Sequence, residues 1–265
     1  MPEQLSTLLA HFSPTQWLLI FTVMTLGSLI QGAVGFASGL FSIPLLVMGG
    51  VELQEAATIN FLLTAVQNTV GAWRLREELT VRDAAVPVVT RWAGLPLGAI
   101  ALAKTAALDQ GLIKQIVGGL LLVTVIVLWL WKAKHRAHIS LPTTILAFLT
   151  SGFLLGFAAI GGAPMVLYVN ALDWSAAKCR AFLFLVSATG VPLMAVLLAI
   201  NFGRTLLPAV VAAVMVLPVV WVGLHVGLHL GKKLDKPLFR RITFSLLTLI
   251  ALTALLAPFL MEKSG

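Results

Sequence analysis

The sequence predicts an all-α polytopic membrane protein of about eight transmembrane segments in two inverted repeats, each opening with a glycine-rich broken, re-entrant helical hairpin. Three observations predict it: an apolar composition, two over-long apolar runs interrupted by glycine, and the placement of the basic residues. Of 265 residues 59% are hydrophobic and only 11% charged, too few polar groups to cover a soluble surface. The net charge of +8 would suggest nucleic acid in a soluble chain. Here the basic residues cluster in short loops between apolar runs, where they set orientation, so the expected partner is the lipid bilayer and not nucleic acid. The N-terminus carries Glu3 and no Lys or Arg before Ser13, so it lacks a signal peptide's positive region and the first apolar run is expected to be retained.

Apolar segments occupy roughly residues 16–50, 56–73, 84–103, 112–131, 141–170, 176–201, 206–230 and 238–260. Most approach the ~20 residues of a spanning helix. The first and fifth are longer, and they contain Gln31-Gly32-Ala33-Val34-Gly35-Phe36-Ala37-Ser38-Gly39 and Gly152-Phe153-Leu154-Leu155-Gly156-Phe157-Ala158-Ala159-Ile160-Gly161-Gly162-Ala163-Pro164. Each is too rich in Gly and Pro for one undisturbed helix.

Charge decides how these two runs are threaded. If all eight segments cross once, Lys and Arg divide eight against nine between the two sides, which orients nothing. If the first and fifth enter and return on one side, thirteen fall on one side (residues 74, 76, 82, 132, 134, 136, 178, 180, 232, 233, 236, 240 and 241) and four on the other (104, 114, 204 and 263). The second arrangement obeys the positive-inside rule. It predicts both termini outside, and an odd number of crossings per half, so that the halves are inverted. Residues 1–131 form the first repeat, 132–140 a basic cytoplasmic linker, and 141–265 the second repeat. Leu108-Asp109-Gln110-Gly111-Leu112 resembles Leu234-Asp235-Lys236-Pro237-Leu238, and an offset near 124 superposes Gly32 on Gly156.

Backbone that leaves a helix inside hydrocarbon must be buried in protein or line a polar space. Broken helices at matching places in two halves point to the binding site of a transporter. A half-helix starting after such a break aims unpaired N–H groups and a positive dipole end at that space, which suits an anion. Candidate contacts are Gln31, Gly35, Ser38 and Gly39 in the first break and Gly161, Gly162 and Pro164 in the second. Asn60, Thr64, Gln67 and Gly71, spaced 4, 3 and 4, share one face of the second segment, making Asn60 and Gln67 pathway candidates, with Asn68 expected off that face. Arg91 lies mid-segment with no acidic residue deep in any segment to neutralise it, and at that depth an unpaired charge needs a partner such as an anionic ligand. Arg180 opens the sixth segment directly after the second break.

Other features carry less chemistry. Cys179 is a lone cysteine, so it forms no internal disulfide and reads as a small buried side chain. His225 and His229 lie one turn apart without a carboxylate or thiol nearby, and Gly223, Gly227 and Gly231 there form a packing stripe; no metal and no cofactor is expected. No hydrolase, metalloprotease or phosphate-loop motif occurs, so no enzyme is expected.

At these residues the chain resembles the TauE/SafE family, the sulfite exporter family of membrane permeases. That family carries a duplicated pattern of the form GxxxGxGGGxxxVPLL. The first copy here runs from Gly32 through Gly35 to Gly39 and on to Ile43-Pro44-Leu45-Leu46. The second runs from Gly152 and Gly156 to Ile160-Gly161-Gly162-Ala163-Pro164. Ala37 and Ser38 replace two glycines in the first copy, Ala159 and Ala163 replace two in the second, and Tyr168 stands where a second proline is common. The resemblance spans about Trp17 to Pro258. It implies a secondary transporter of the cell membrane that exports sulfite, sulfoacetate or related organosulfur and carboxylate anions by alternating access, with proton or sodium coupling and homo-oligomerisation open. An anion channel and a non-transporting membrane subunit are the alternatives that the residues leave.

Overall fold

A computed structural model of the chain describes residues 6, 8–105, 119, 123, 126, 138–158, 161–235, 237, 238, 241, 242, 245 and 248. The expected fourth segment, most of the eighth, most of the linker, and Ala159 and Ile160 lie outside the described residues. Every element of regular structure among those described is a helix. Helix α1 (Pro14–Val34) starts at a capping box in which Ser13 and Gln16 satisfy each other's backbone N–H groups. It stops at Gly35, whose φ of +84° is open to glycine at little cost. Ala37, at φ +87°, then turns the chain into α2 (Ser38–Met48). A left-handed alanine costs about 1–2 kcal/mol, a strain confined to the break. Helices α3 (Leu53–Arg74) and α4 (Val81–Thr105) follow.

The second long run is also broken, into α5 (Leu141–Ala158) and α6 (Gly162–Ala171). Then come α7 (Ala176–Thr189), α8 (Val191–Phe202) and α9 (Leu207–Gly231). Gly190 and Pro192 divide α7 from α8 because proline cannot complete the preceding turn's hydrogen bonds. Among the described residues three helical stretches are long and apolar enough to cross a membrane, Pro14–Val34, Arg82–Lys104 and Ala176–Gly231, and Ser38–Met48 and Leu141–Phe157 are shorter apolar helices. The last long stretch turns at Gly203, φ +53°.

Both breaks fold the chain back on itself. Gln16 Nε2 donates to the Gly50 carbonyl at 3.1 Å, and Gly27 faces Ser38 and Ser42, so α1 and α2 run antiparallel. In the second run Ser151 Oγ donates to the Gly161 carbonyl at 2.6 Å and Phe148 meets Tyr168 edge to face, which makes α5 and α6 antiparallel too. His11 Nε2 pairs with Glu55 Oε1 at 2.6 Å, placing the start of α3 beside the start of α1. Lys178 Nζ pairs with Asp83 Oδ2 at 3.1 Å, placing the start of α7 beside the start of α4, at the other end of the bundle. The hairpins therefore open toward opposite ends.

Each hairpin's first arm packs against a helix from the other half of the chain. Gly94 of α4 lies on Leu149 and Phe153 of α5, and Gly98 on Phe153 and Phe157. Gly223 of α9 lies on Thr25 and Leu29 of α1, and Gly227 on Leu29 and Ala33. Partner numbers rise together, so both pairs are parallel. A shift of 129 residues carries Gly94 and Gly98 onto Gly223 and Gly227, and a shift of 124 carries Thr25, Leu29 and Ala33 onto Leu149, Phe153 and Phe157. At all four glycines an added Cβ would strike the facing helix, mostly on its backbone, which is how small residues let helices approach closely. The histidine-bearing helix is thus a packing helix, and no cluster of metal-ligating side chains occurs among the described residues.

Candidate functional site

The two breaks meet. Gly162, at the start of α6, faces Phe36 and Leu40 across the first break, and between them lies a cavity of about 50 Å³. A water needs ~10–15 Å³ by this measure, so the space suits a few waters or one anion of about four or five heavy atoms. The first hairpin contributes Gln31, Phe36, Ala37, Gly39 and Leu40. Helix α3 contributes Asn60, Phe61, Thr64 and Asn68, and α4 contributes Arg91. The second hairpin adds Leu155, Gly161, Gly162 and Met165, and the α7–α8 junction adds Ser187, Gly190 and Val191.

Arg91 is the one charged residue of this lining and is only 2% exposed. It lies ten residues into α4, roughly 15 Å along the axis at 1.5 Å per residue. Its Nη1 donates to the Val186 carbonyl at 2.7 Å, and the neighbouring Trp92 Nε1 donates to the Thr189 carbonyl at 3.0 Å. Both acceptors belong to the last turn of α7, where carbonyls lack helix partners and a positive charge is favoured. Arg91 Nε has no partner, and among the described residues no carboxylate pairs with the guanidinium. Gly152 makes this depth accessible to α5 by packing directly on the Arg91 carbonyl.

Helices α2 and α6 both begin at the cavity, and in neither does the side chain of the N-cap residue bond the first turn. First turns present backbone N–H groups and the positive end of the helix dipole. Pro164, half-buried in the first turn of α6, has no N–H to offer and fixes the turn instead. A buried polar chain backs the first break: the Ser38 N–H donates to Gln31 Oε1 at 3.1 Å, Gln31 Nε2 to Asn68 Oδ1 at 2.7 Å, and Ser38 Oγ to Asn60 Oδ1 at 3.0 Å. A small space with a cation, amide side chains, two helix starts and no acidic group in its lining has the chemistry to accept an anion.

Of the residues singled out from the sequence, Gln31, Gly39, Asn60, Arg91, Gly161 and Gly162 line this cavity. Ser38 stands behind it, bonded to Gln31 and Asn60. Gly35 lies against the backbone of Arg180. Arg180 itself is 2% exposed and donates from Nη2 to the Gly32 carbonyl at 3.0 Å, at the C-terminal end of α1. It packs there on Gly231, so it holds helix ends together outside the cavity. Gln67 is fully buried with no hydrogen-bond partner and is not part of the lining.

Asn68 is where the sequence reading and the structure differ. Expected off the polar face, it lines the cavity and accepts from Gln31. Helix α3 is enclosed on several sides, and Gly71, one turn beyond Gln67, receives the Phe184 ring, so polarity alone does not tell its cavity face from its packing face. Ser187 and Gly190 were not singled out either; the signal for them was Thr189-Gly190-Val191-Pro192, a third break inside an apolar segment.

No curated protein matches the chain significantly. The family described as Sulfite exporter TauE/SafE matches residues 19–254, a range that takes in both glycine breaks and every residue lining the cavity; the chain belongs to that family of sulfite exporter-type membrane transporters.

Proposed function

We propose that the protein is a secondary transporter of the cell membrane that exports small anions, sulfite, sulfoacetate or related organosulfur and carboxylate anions, by alternating access. The observation that carries this reading is the convergence of both glycine breaks and the buried Arg91 on one cavity of sulfite size, which would have to widen for sulfoacetate. Gln31, Gly39, Asn60, Asn68, Arg91, Gly161 and Gly162 are the proposed substrate contacts. Gly35, Ser38 and Pro164 shape the breaks, and Arg180 braces the first hairpin against α9.

The proposed architecture is eight spans in two inverted repeats, residues 1–131 and 141–265, joined by the basic linker 132–140. Supporting it are the opposite openings of the hairpins and the glycine contacts that recur under shifts of 129 and 124 residues. Arg74, Arg76, Arg82, Lys178, Lys232 and Lys233 follow or precede helices at one end of the bundle, and Lys104 and Arg204 at the other. The positive-inside rule makes the first end cytoplasmic. Rocking of the two parallel helix pairs about the hairpin tips would expose the cavity to each side in turn.

An inside-negative potential supplies roughly 2.3 kcal/mol per charge per 100 mV toward anion exit, so export needs no coupled ion, whereas uptake would require a proton or sodium ion. Labelled sulfite loaded into proteoliposomes should leave saturably and faster under an inside-negative potential. No flux of sulfite, any sulfonate or any carboxylate would overturn the proposal, and unitary currents would make the protein an anion channel.

A further inference from the structure

The hydrogen-bond chain behind the first break fixes more than its own geometry. A backbone N–H can only donate, so the Ser38 N–H requires that Gln31 turn its oxygen toward it. Gln31 must then present its NH2 to Asn68, which accepts through Oδ1 at 2.7 Å. Asn68 is thereby forced to turn its own NH2 away from Gln31. The Ser38 hydroxyl, which could donate or accept, donates to Asn60 Oδ1 at 3.0 Å. The orientations of the Gln31 and Asn68 amides, otherwise ambiguous, are set here by one backbone donor.

All three amide oxygens of the lining are therefore occupied from within the protein, and the amide NH2 groups of Asn60 and Asn68 are left over. The Gly161 carbonyl is occupied too, by Ser151 Oγ at 2.6 Å. Thr64 spends its proton on the Asn60 carbonyl, so the hydroxyl lone pairs of Thr64 and Ser187 are the side-chain acceptors that remain. Against them stand Arg91, two amides and two helix starts. No Asp, Glu or His faces the cavity from any of the helices around it, and Arg91 stays charged near neutral pH.

We propose that this Ser38–Gln31–Asn68 chain makes the site selective for a fully ionised oxyanion over its protonated form, with Asn68 as the specificity-determining residue. A ligand O–H needs an acceptor, and a buried donor left unpaired bears its full desolvation penalty. A site whose donors outnumber its free acceptors charges that cost mainly to the protonated species. The inference rests on the reading of the cavity as the anion site and adds which protonation state it takes.

The test is ligand binding to the full-length purified protein from mildly acidic to mildly alkaline pH, with three probes. Sulfate and methanesulfonate carry no proton across this range, whereas hydrogen sulfite loses its proton within it. Affinity for sulfate and methanesulfonate should stay flat, and affinity for total sulfite should rise about tenfold, as a penalty near 1.4 kcal/mol implies. Asn68→Asp keeps an acceptor for Gln31 and so keeps the chain intact, but it turns an acceptor toward the ligand. It should weaken sulfate and methanesulfonate at least tenfold at neutral pH while thermal unfolding stays unchanged. Sulfite affinity that is flat with pH, or an Asn68→Asp protein that binds sulfate as the wild type does, overturns the selectivity while leaving the anion site standing. Failure of all three probes to bind the wild type overturns both.

Discussion

Replacing Arg91 with methionine is expected to reduce anion flux by ten- to a hundredfold or more while leaving the fold as stable as before, or more stable. Hydrogen bonds to a charged group contribute about 1.5–3 kcal/mol each, and the anion would lose the one charge in the lining. The folded protein loses much less. Arg91 makes a single hydrogen bond, to Val186, and its Nε has no partner, so removing it also removes the cost of burying a charge. Replacement of buried charges by apolar groups of similar volume is often neutral or stabilising. Arg91→Lys keeps the charge but not the planar fork, and it should fall between the two. Labelled sulfite flux and thermal unfolding in detergent, measured on the same preparation, check this. Loss of flux together with a large loss of stability would instead make Arg91 a brace for the end of α7.

Gly98→Val and Gly227→Val should show the opposite pattern, with a large loss of stability at sites remote from the anion. A Cβ on Gly98 meets the Phe153 carbonyl and the Phe157 nitrogen, and one on Gly227 meets the Leu29 carbonyl and the Cα of Gly32. Backbone cannot swing aside as a side chain does, so the parallel helices must separate. Overpacking typically costs about 1–3 kcal/mol, occasionally more, and the two substitutions should cost similar amounts because their surroundings correspond. Gly162→Ala is the control. Its Cβ would sit at ordinary contact distance from Phe36 and Leu40, so the fold should tolerate it while the cavity narrows. Thermal unfolding of the three variants in detergent checks the ranking.

These contrasts show what could be read from the residues and what could not. The hairpins were legible because glycine, proline and left-handed backbone break helices for local reasons, and Gly35 and Gly162 stand where the breaks occur. Arg91 was legible because a charge in mid-segment has few physical explanations. The role of Arg180 was not legible: the sequence places it directly after the second break, and only the fold brings Gly32 and Gly231 to it. The role of Asn68 was hidden for a different reason. Asn60, Thr64, Gln67 and Asn68 all lie on the crowded side of α3, and which of them reaches the cavity depends on where Phe184 and the hairpin tips pack. The stripe at Gly223, Gly227 and Gly231 was legible as packing, but its correspondence to Gly94 and Gly98 was not, since that emerges only when α4 meets α5 and α9 meets α1.

The central claim is that the two glycine breaks and Arg91 form one site for one small anion. Anomalous diffraction from crystals grown with selenate, a fully ionised oxyanion whose selenium can be located directly, tests it most plainly. One selenium peak should appear between the first turns of α2 and α6, with its oxygens within hydrogen-bonding distance of Arg91 and Asn68, and it should be absent from Arg91→Met crystals. A peak elsewhere in the protein, or one that persists without Arg91, would contradict the account.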